Sequence, residues 1–422
     1  MKARWGRGLL AALCLLALWG GTACARQEAE PAFSETEEGE LPEEEPLPEP
    51  EPEPVIATAR LTVVGDIMCH DYQYNEAYDP QTGTYDFSHC FADMQPYFDQ
   101  ADLVVGNLET VFAGPEVGPR DFPLFNAPDE FLDAVKNAGF DLLTTANNHC
   151  LDQGEKGVLR TLDRLDELGI AHVGTYRNLE EKAANKIQML DVNGVKLAVL
   201  AYTYGFNGNY VPSYDEVSLL DEATVKADLA AAREAGPDFV VVLAHLGNEY
   251  ETEPRQTFVD WVQLMCDAGA DLVLCSHPHV LQRMEFTTAA DGRRCFVMYS
   301  LGNFISAQTT PPRNASILLD LTLTVEDGAP RVSEVSFVPI WTQFRLPSGR
   351  DHFVVRSVYQ MLSLTPEQQA ELLRPKDVAR LKDIHTETTS LLLGKTVPLE
   401  DIKDQYWYYR EAGEADAALS SE

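Results

Sequence analysis

Short apolar runs rich in Val, Leu or Phe recur along the chain from residue 60. Each ends in polar side chains able to bind a metal. Residues 61–66 read LTVVGD, with His70 nearby, and 103–109 read LVVGNLE. Residues 140–149 read FDLLTTANNH, 239–245 read FVVVLAH, and 272–279 read LVLCSHPH. A sixth run, FVMYSLGN at 296–303, ends in an amide. Runs of this length and composition predict buried strands. Between several of them the apolar spacing changes to three or four, which predicts helices. One covers 128–138, opening on Pro128 and stopping at Gly139, with Phe131, Leu132 and Val135 on one face. A second covers 155–168, with Val158, Leu162, Leu165 and Leu168, and stops at Gly169. A third covers 254–268, with Phe258, Val262 and Met265, and stops at Gly269. Strands alternating with helices indicate an α/β layered fold. In such folds ligands gather beyond the carboxyl ends of the strands, which is where the first five clusters sit. Toward the C-terminus, 335–341 is expected to be the last strand and 354–412 mainly helical. The aromatics Tyr406, Trp407, Tyr408 and Tyr409 are expected to pack a terminal helix.

The first 54 residues follow a different pattern. Lys2, Arg4 and Arg7 precede an 11-residue apolar run at 9–19. That run is too short to span a bilayer and has the length of a secretory h-region. Gly20, Gly21, Thr22, Ala23, Cys24 and Ala25 follow. Three readings of 1–25 stay open: a lipoprotein signal with Cys24 lipidated, an A-x-A site for ordinary cleavage, and an uncleaved anchor. Each places the body outside the cytoplasm, on the bacterial cell membrane or secreted. Residues 26–54 form a Glu/Pro-rich linker, with twelve Glu and no Lys or Arg at 27–54. Repeated Glu-Pro favours an extended polyproline form. At about 3.1 Å per residue it reaches on the order of 90 Å. The stretch serves as a spacer from a membrane or as a solvated tail. The body then divides into a domain over 55–350 and a mainly helical extension over 351–422.

Charge narrows the partners. The formal net charge is −35, of which residues 55–422 carry −27. So acidic a surface repels phosphate backbones, and nucleic acid is excluded as a partner of a basic face. Six cysteines lie in the body: Cys69, Cys90, Cys150, Cys266, Cys275 and Cys295. None forms a CxxC pair, and a body of this size folds without disulfides, so buried free thiols are expected.

The strand-end residues form a mixed nitrogen and oxygen set: Asp66, Asn107, Glu109, Asn148, His245, His277 and His279. Imidazole with carboxylate suits Mn, Zn or Fe better than calcium, and one or two divalent ions are expected. Such ions activate water for attack on phosphorus or a carbonyl. His149 would then protonate the leaving group, with Asp152 orienting it. His70 is a weaker candidate ligand. His89, His172, His352 and His385 lack such context and read as ordinary surface or core residues. Cys69, Cys150 and Cys275 adjoin the motifs and read as small buried neighbours.

Six stretches carry a resemblance: GDIM at 65–68, GNLET at 106–110, ANNHCLDQGEKG at 146–157, AHLGNEY at 244–250, SHPHVLQ at 276–282 and YSLGNFI at 299–305. Together they resemble the CapA family of bacterial capsule (poly-γ-glutamate) synthesis proteins, over about 60–345. The resemblance implies a calcineurin-like metallophosphatase architecture: two packed mixed β-sheets flanked by helices, in α/β/β/α layers. It also implies an N-terminal membrane anchor. By the same resemblance Asp66 is the bridging or first-metal aspartate. Asn148 and His149 correspond to the ligand amide and the acid histidine, and His245, His277 and His279 to the later ligands. Two positions depart from the wider superfamily. Met68 stands where its first motif has His, and Asn107 where its second has Asp. One metal position is therefore weak, filled through Glu109 or His70, or lost.

The function implied is an extracytoplasmic, membrane-tethered protein of capsule or wall polymer biosynthesis or export, with a metal-dependent hydrolase site. A noncatalytic component that binds polymer or partner proteins is the alternative from another class. A secreted metallophosphoesterase is the third. The partners expected are a capsular or wall polymer, other membrane synthesis components, and the membrane itself through the N-terminal lipid or anchor. A polyanion would not adhere to a −27 body by bulk electrostatics, so contact is expected to be local and metal-centred.

Overall fold

The computed structural model describes residues 55–207 and 215–411. The expected targeting segment 1–25 with Cys24, the expected linker 26–54, and residues 208–214 and 412–422 lie outside the described residues. In chain order, β1 (Ile56–Ile67) is followed by a small hairpin, β2 (Tyr78–Asp79) and β3 (Thr84–Tyr85). Next come β4 (Leu103–Leu108), β5 (Leu142–Thr144), β6 (Ala171–Val173), β7 (Gln188–Val192) and β8 (Val195–Thr203). The second half holds β9 (Phe239–His245), β10 (Leu272–Ser276), β11 (Met284–Thr288), β12 (Arg294–Met298) and β13 (Asn303–Ile305). The chain closes with β14 (Ala315–Glu326), β15 (Ala329–Arg345), β16 (Asp351–Ser357) and β17 (Tyr406–Arg410).

Apart from the β2–β3 hairpin, these strands build two sheets. One has the order β16-β15-β14-β1-β4-β5-β6, with β13 added to β1 and β17 to β15. The other has the order β11-β12-β10-β9-β8-β7. In the first, β1, β4, β5 and β6 run parallel out to one edge. At the centre of the second, β8, β9, β10 and β12 do the same. Successive side chains of a strand point to opposite faces. Leu197, Val199 and Ala201 of β8 therefore enter the core between the sheets. Ala198, Leu200 and Tyr202 pack outward with Val225, Leu229, Val262 and Met265 of two helices. Burial on both faces is why these strands read as continuous apolar runs. The layers are helix, sheet, sheet, helix, as the resemblance implies.

The expected helices lie close to their predicted bounds. Asp129–Ala138 follows Pro128, has Asp129 and Glu130 in its first turn, and stops at Gly139 with φ 110°. Gly154–Leu168 stops at Gly169 with φ 64°, and Gln256–Ala268 begins two residues past Pro254. Phe131, Leu132 and Val135 are fully buried. Each contributes roughly 1.5–3 kcal/mol by leaving water. Among the described residues no helix is long and apolar enough to cross a membrane.

The C-terminal stretch departs from expectation in two places. The strand at 335–341 is not the last: it lies within β15, and β16 and β17 follow. The aromatic run does not pack a terminal helix. It forms β17, pairing Tyr406 with Phe337 and Tyr409 with Val335 along β15. Aromatic side chains suit a half-buried sheet edge, and pairing with β15 places the run there. Helices Val358–Ser363, Pro366–Leu372 and Pro375–Leu393 lie between these two strands. All six body cysteines are buried free thiols.

Candidate metal centre

Sheet register assembles the site. Asp66 at the end of β1 pairs with Asn107 of β4, which pairs with Thr144 of β5. In the other sheet His245 of β9 lies between Thr203 of β8 and Ser276 of β10. The two packed sheets bring these strand ends together. Gly65 allows close approach at β1. A Cβ there would sit 1.8 Å from the Gly302 carbonyl oxygen, which accepts the Asp66 amide hydrogen at 2.9 Å.

Asp66, Asn107, Glu109, Asn148, His245, His277 and His279 are all buried. Asp66 Oδ2 lies 3.0 Å from His279 Nδ1, and Asn303 Oδ1 lies 3.0 Å from the same nitrogen. Two acceptors place the ring proton on Nδ1, which leaves the Nε2 lone pair toward Glu109. Glu109 Oε1 is 3.8 Å from His279 Nε2 and 3.7 Å from His245 Nε2. His245 Nε2 also meets Asn148 Oδ1 at 2.6 Å. The Asn107 NH₂ donates to Asp66 Oδ1 at 2.8 Å and reaches Glu109 Oε2 at 3.4 Å. Its carbonyl oxygen is turned away, accepting from Thr144 Oγ1 at 2.8 Å and from Asn147 at 3.4 Å.

The electrostatics are those of a site built around positive charge. Burial, and then the Asp66 carboxylate, push Glu109 well above the usual carboxylate range. Burial would raise Asp66 too, but the hydrogen bond and charge of His279 outweigh it and hold Asp66 low. Burial, with His279 next, holds the His277 ring down to about 3. Burial, with His277 and His279, likewise depresses His245. Without an ion the site thus favours neutral His245 and His277 and a protonated Glu109.

His149 forms the second half of the cleft. Its Nδ1 donates to Asp152 Oδ2 at 2.7 Å, and both side chains are buried. Asp152 Oδ2 also accepts the Phe125 amide hydrogen at 2.8 Å, and the Phe125 ring packs edge-on to His149 at 4.7 Å. Nε2, the remaining ring nitrogen, meets the Asn207 amide at 3.1 Å. The carboxylate fixes the tautomer and orientation, so Nε2 is the atom that can hold or give a proton.

Do these residues suit a divalent cation? Glu109 Oε1, Asn148 Nδ2 and His277 Nδ1 are buried with no hydrogen-bond partner. A buried carboxylate oxygen facing imidazoles, without a donor, is costly unless a cation meets it. Glu109, His245 and His277 each offer a ligand atom within 4.8 Å of one another, and so do Asp66, Glu109 and His279. The two groups share Glu109, which places that carboxylate between them. The residues fit one or two divalent ions, held by Asp66, Glu109, Asn148, His245, His277 and His279. When bound, such ions polarise a phosphoryl or carbonyl oxygen and lower the pKa of water.

Of the remaining sequence candidates, His70 is engaged elsewhere. Its Nδ1 meets Asp121 at 2.9 Å and its Nε2 meets Ser306 at 3.2 Å. Burial pushes the Cys150 thiol up to about 12 and Cys69 well above its usual range. Sequence reasoning missed Asn207, Asn303, Tyr204, Tyr250 and Arg313. The Tyr204 ring lies 4.6 Å from His277, and Tyr250 lies 6.0 Å from His279 under the Arg313 guanidinium. A signal existed for Asn303, which ends the sixth apolar run. Another existed for Tyr204 and Asn207, since 195–203, VKLAVLAYT, is a further run of the same kind. Arg313 and Tyr250 carry no such signal. Their placement depends on loops.

The family model described as "Bacterial capsule synthesis protein PGA_cap" matches residues 60–308. The chain is similar to "Capsule biosynthesis protein CapA" of Bacillus anthracis, 29% identical over 64% of this chain and 68% of that protein. It is similar to "PGA biosynthesis protein CapA" of Bacillus subtilis (strain 168), 28% identical over 71% of this chain and 76% of that protein. Among solved structures, NAD nucleotidase (NadN) of Haemophilus influenzae is similar at 13% identity and TM-score 0.44, over 87% of this chain and 66% of that one. The calcineurin-like phosphoesterase YfkN of Bacillus subtilis is similar at 13% identity and TM-score 0.38, over 78% and 99%.

Proposed function

The chain belongs to the family of the bacterial capsule synthesis protein PGA_cap, and from that membership we propose that it acts in capsule or wall polymer biosynthesis or export through a metal-dependent hydrolase site. In this reading the protein works outside the cytoplasm, tethered by the lipidated or anchored segment 1–25 and held off the membrane by 26–54. Its partners are a polymer of the poly-γ-glutamate type and other membrane synthesis components. The observation that carries the hydrolase reading is Glu109 Oε1, buried without a partner between His245 and His279. His149 supplies the proton for the leaving group from Nε2, with Asp152 holding Nδ1. Phe125 against the ring limits water at that donor. Asn107, donating to both carboxylates, fixes their orientation.

Two observations favour a second reading, a noncatalytic component that binds polymer or partner. Met68 replaces the superfamily His, and Asn107 turns its NH₂ rather than its oxygen toward the carboxylates. Both changes weaken one metal position. Bound metal and cleavage of phosphoester and γ-glutamyl amide substrates, measured on the full chain and its His149→Ala variant, separate the readings. Less than one metal at the central cleft with no His149-dependent turnover would overturn the enzyme. Two metals there with phosphoester turnover alone would favour a secreted metallophosphoesterase.

A further inference from the structure

A second cluster of metal-ligating side chains lies outside the central cleft. Glu76 stands on the short helix Asp71–Ala77, His89 on the 3-10 turn Ser88–Cys90, and His352 on β16. Read singly along the chain, the two histidines have no chemical context. The fold brings both to one carboxylate. His89 Nε2 lies 2.9 Å from Glu76 Oε2, and His352 Nδ1 lies 3.4 Å from Glu76 Oε1. The imidazoles stack nearly parallel, with centroids 4.8 Å apart and planes at 10°. One ligand atom from each residue falls within 4.8 Å of the others.

We propose that Glu76, His89 and His352 form a second metal site that takes a zinc-class divalent ion. The donor set is two imidazole nitrogens and one carboxylate, a combination zinc takes with a fourth position left to water. Side-chain exposures of 11% for Glu76, 17% for His352 and 28% for His89 leave that position open and provide an entry path. The acidic body favours cation capture at such a half-open carboxylate. An ion there would tie three segments together: the first helix, the 3-10 turn, and a strand from the far end of the chain. None of its ligands belongs to the central cleft, so the inference stands independently of the proposed function.

The test uses the metal-free full chain titrated with zinc alone against a chelator of known affinity, with bound zinc and thermal midpoint read together. The His352→Gln and His89→Gln variants should each lose one zinc per chain and the part of the zinc-dependent rise in midpoint that goes with it. The His277→Ala variant, damaged only in the central cleft, should keep that equivalent. Crystals grown with zinc should show an anomalous peak between Glu76, His89 and His352. The proposal is overturned if His352→Gln binds as much zinc as the unmodified chain. It is also overturned if the variants lower the midpoint equally with and without zinc, which is what a plain hydrogen-bonded clamp would do.

Discussion

Asp66 Oδ2 lies 3.0 Å from His279 Nδ1, although 213 positions separate the two residues in the chain. The contact joins the end of β1 to the loop after β10, and it decides which nitrogen of His279 faces Glu109. That loop is held in an unfavourable backbone conformation, since His277 has φ 105° and His279 has φ 59°. Non-glycine residues in such regions cost about 1–3 kcal/mol each, and they persist where the surroundings over-determine them. Metal ligation is a reason for a chain to keep that strain.

Glu109→Gln should separate stability from metal binding. The carboxyl is buried and pushed well above its usual range, with Oε1 lacking a donor. The amide is nearly isosteric and carries no charge. Without metal, the Glu109→Gln variant should be as stable as the unmodified chain, or more stable by about 1 kcal/mol. Its bound metal at the central cleft should fall sharply. Denaturant melts alongside metal analysis check this, and a destabilised variant with undiminished metal would contradict it.

His149 and Asp152 should act on turnover and not on metal content. If the proposed hydrolase is active, His149→Ala should lower kcat by about 100- to 10,000-fold, the usual range for a lost general acid. Asp152→Asn keeps the shape but presents an NH₂ to Nδ1, favouring the wrong tautomer, so it should also lower kcat. Steady-state kinetics with metal analysis on the same preparations decide the matter. Equal loss of metal and turnover would assign the pair a merely structural role.

Acid should destabilise the metal-free protein through its buried imidazoles. His277 falls from an ordinary 6.5 to about 3 in the fold, first by burial and then by His279. Between those values the unfolded chain binds a proton that the folded chain excludes. Stability therefore rises with pH across the window and is lost as pH falls from 6.5 toward about 3. The limiting slope is about 1.4 kcal/mol per pH unit for one such group. Urea midpoints at about pH 7 and about pH 5, either side of the ordinary histidine value, should show the loss, and His277→Gln should reduce it. An unchanged slope in that variant would assign the acid sensitivity to other groups.

Gly65→Ala should damage both the fold and the site. The added Cβ would meet the Gly302 oxygen at 1.8 Å, where β1 and the start of β13 approach. Backbone on both sides leaves nothing flexible to yield. The expected loss is about 3 kcal/mol or more, at the high end for an overpacked interior. Bound metal should fall as well, since Asp66 is the next residue. Denaturant unfolding and metal analysis measure both effects, and a loss under about 1 kcal/mol (the average for a point mutation) would show that the strands can separate.

Much of this is legible in the sequence. The runs ending in Asp66, Glu109, Asn148, His245 and His277 read as strands because parallel strands buried on both faces must be continuously apolar. The helices read clearly because Phe131, Leu132 and Val135, or Val158, Leu162 and Leu165, repeat on one face and end at glycines. The pairing of His149 with Asp152 was also within reach, since three residues separate them. The run Tyr406–Arg410 was harder, because aromatics suit a helix face and a sheet edge alike, and only pairing with β15 chose the edge.

By itself, then, the sequence determined the alternation of strands and helices, the strand ends and the kinds of side chain gathered there. Local burial periodicity encodes those features, and each is written within a short stretch of chain. The tertiary structure alone decided which atoms face one another. It turned the Asn107 oxygen toward Thr144, set Glu109 between His245 and His279, and brought His89 to His352 across Glu76. Those outcomes depend on strand register, on sheet packing and on loops with positive φ. A contact between residues far apart in the chain leaves no periodic trace in either of them.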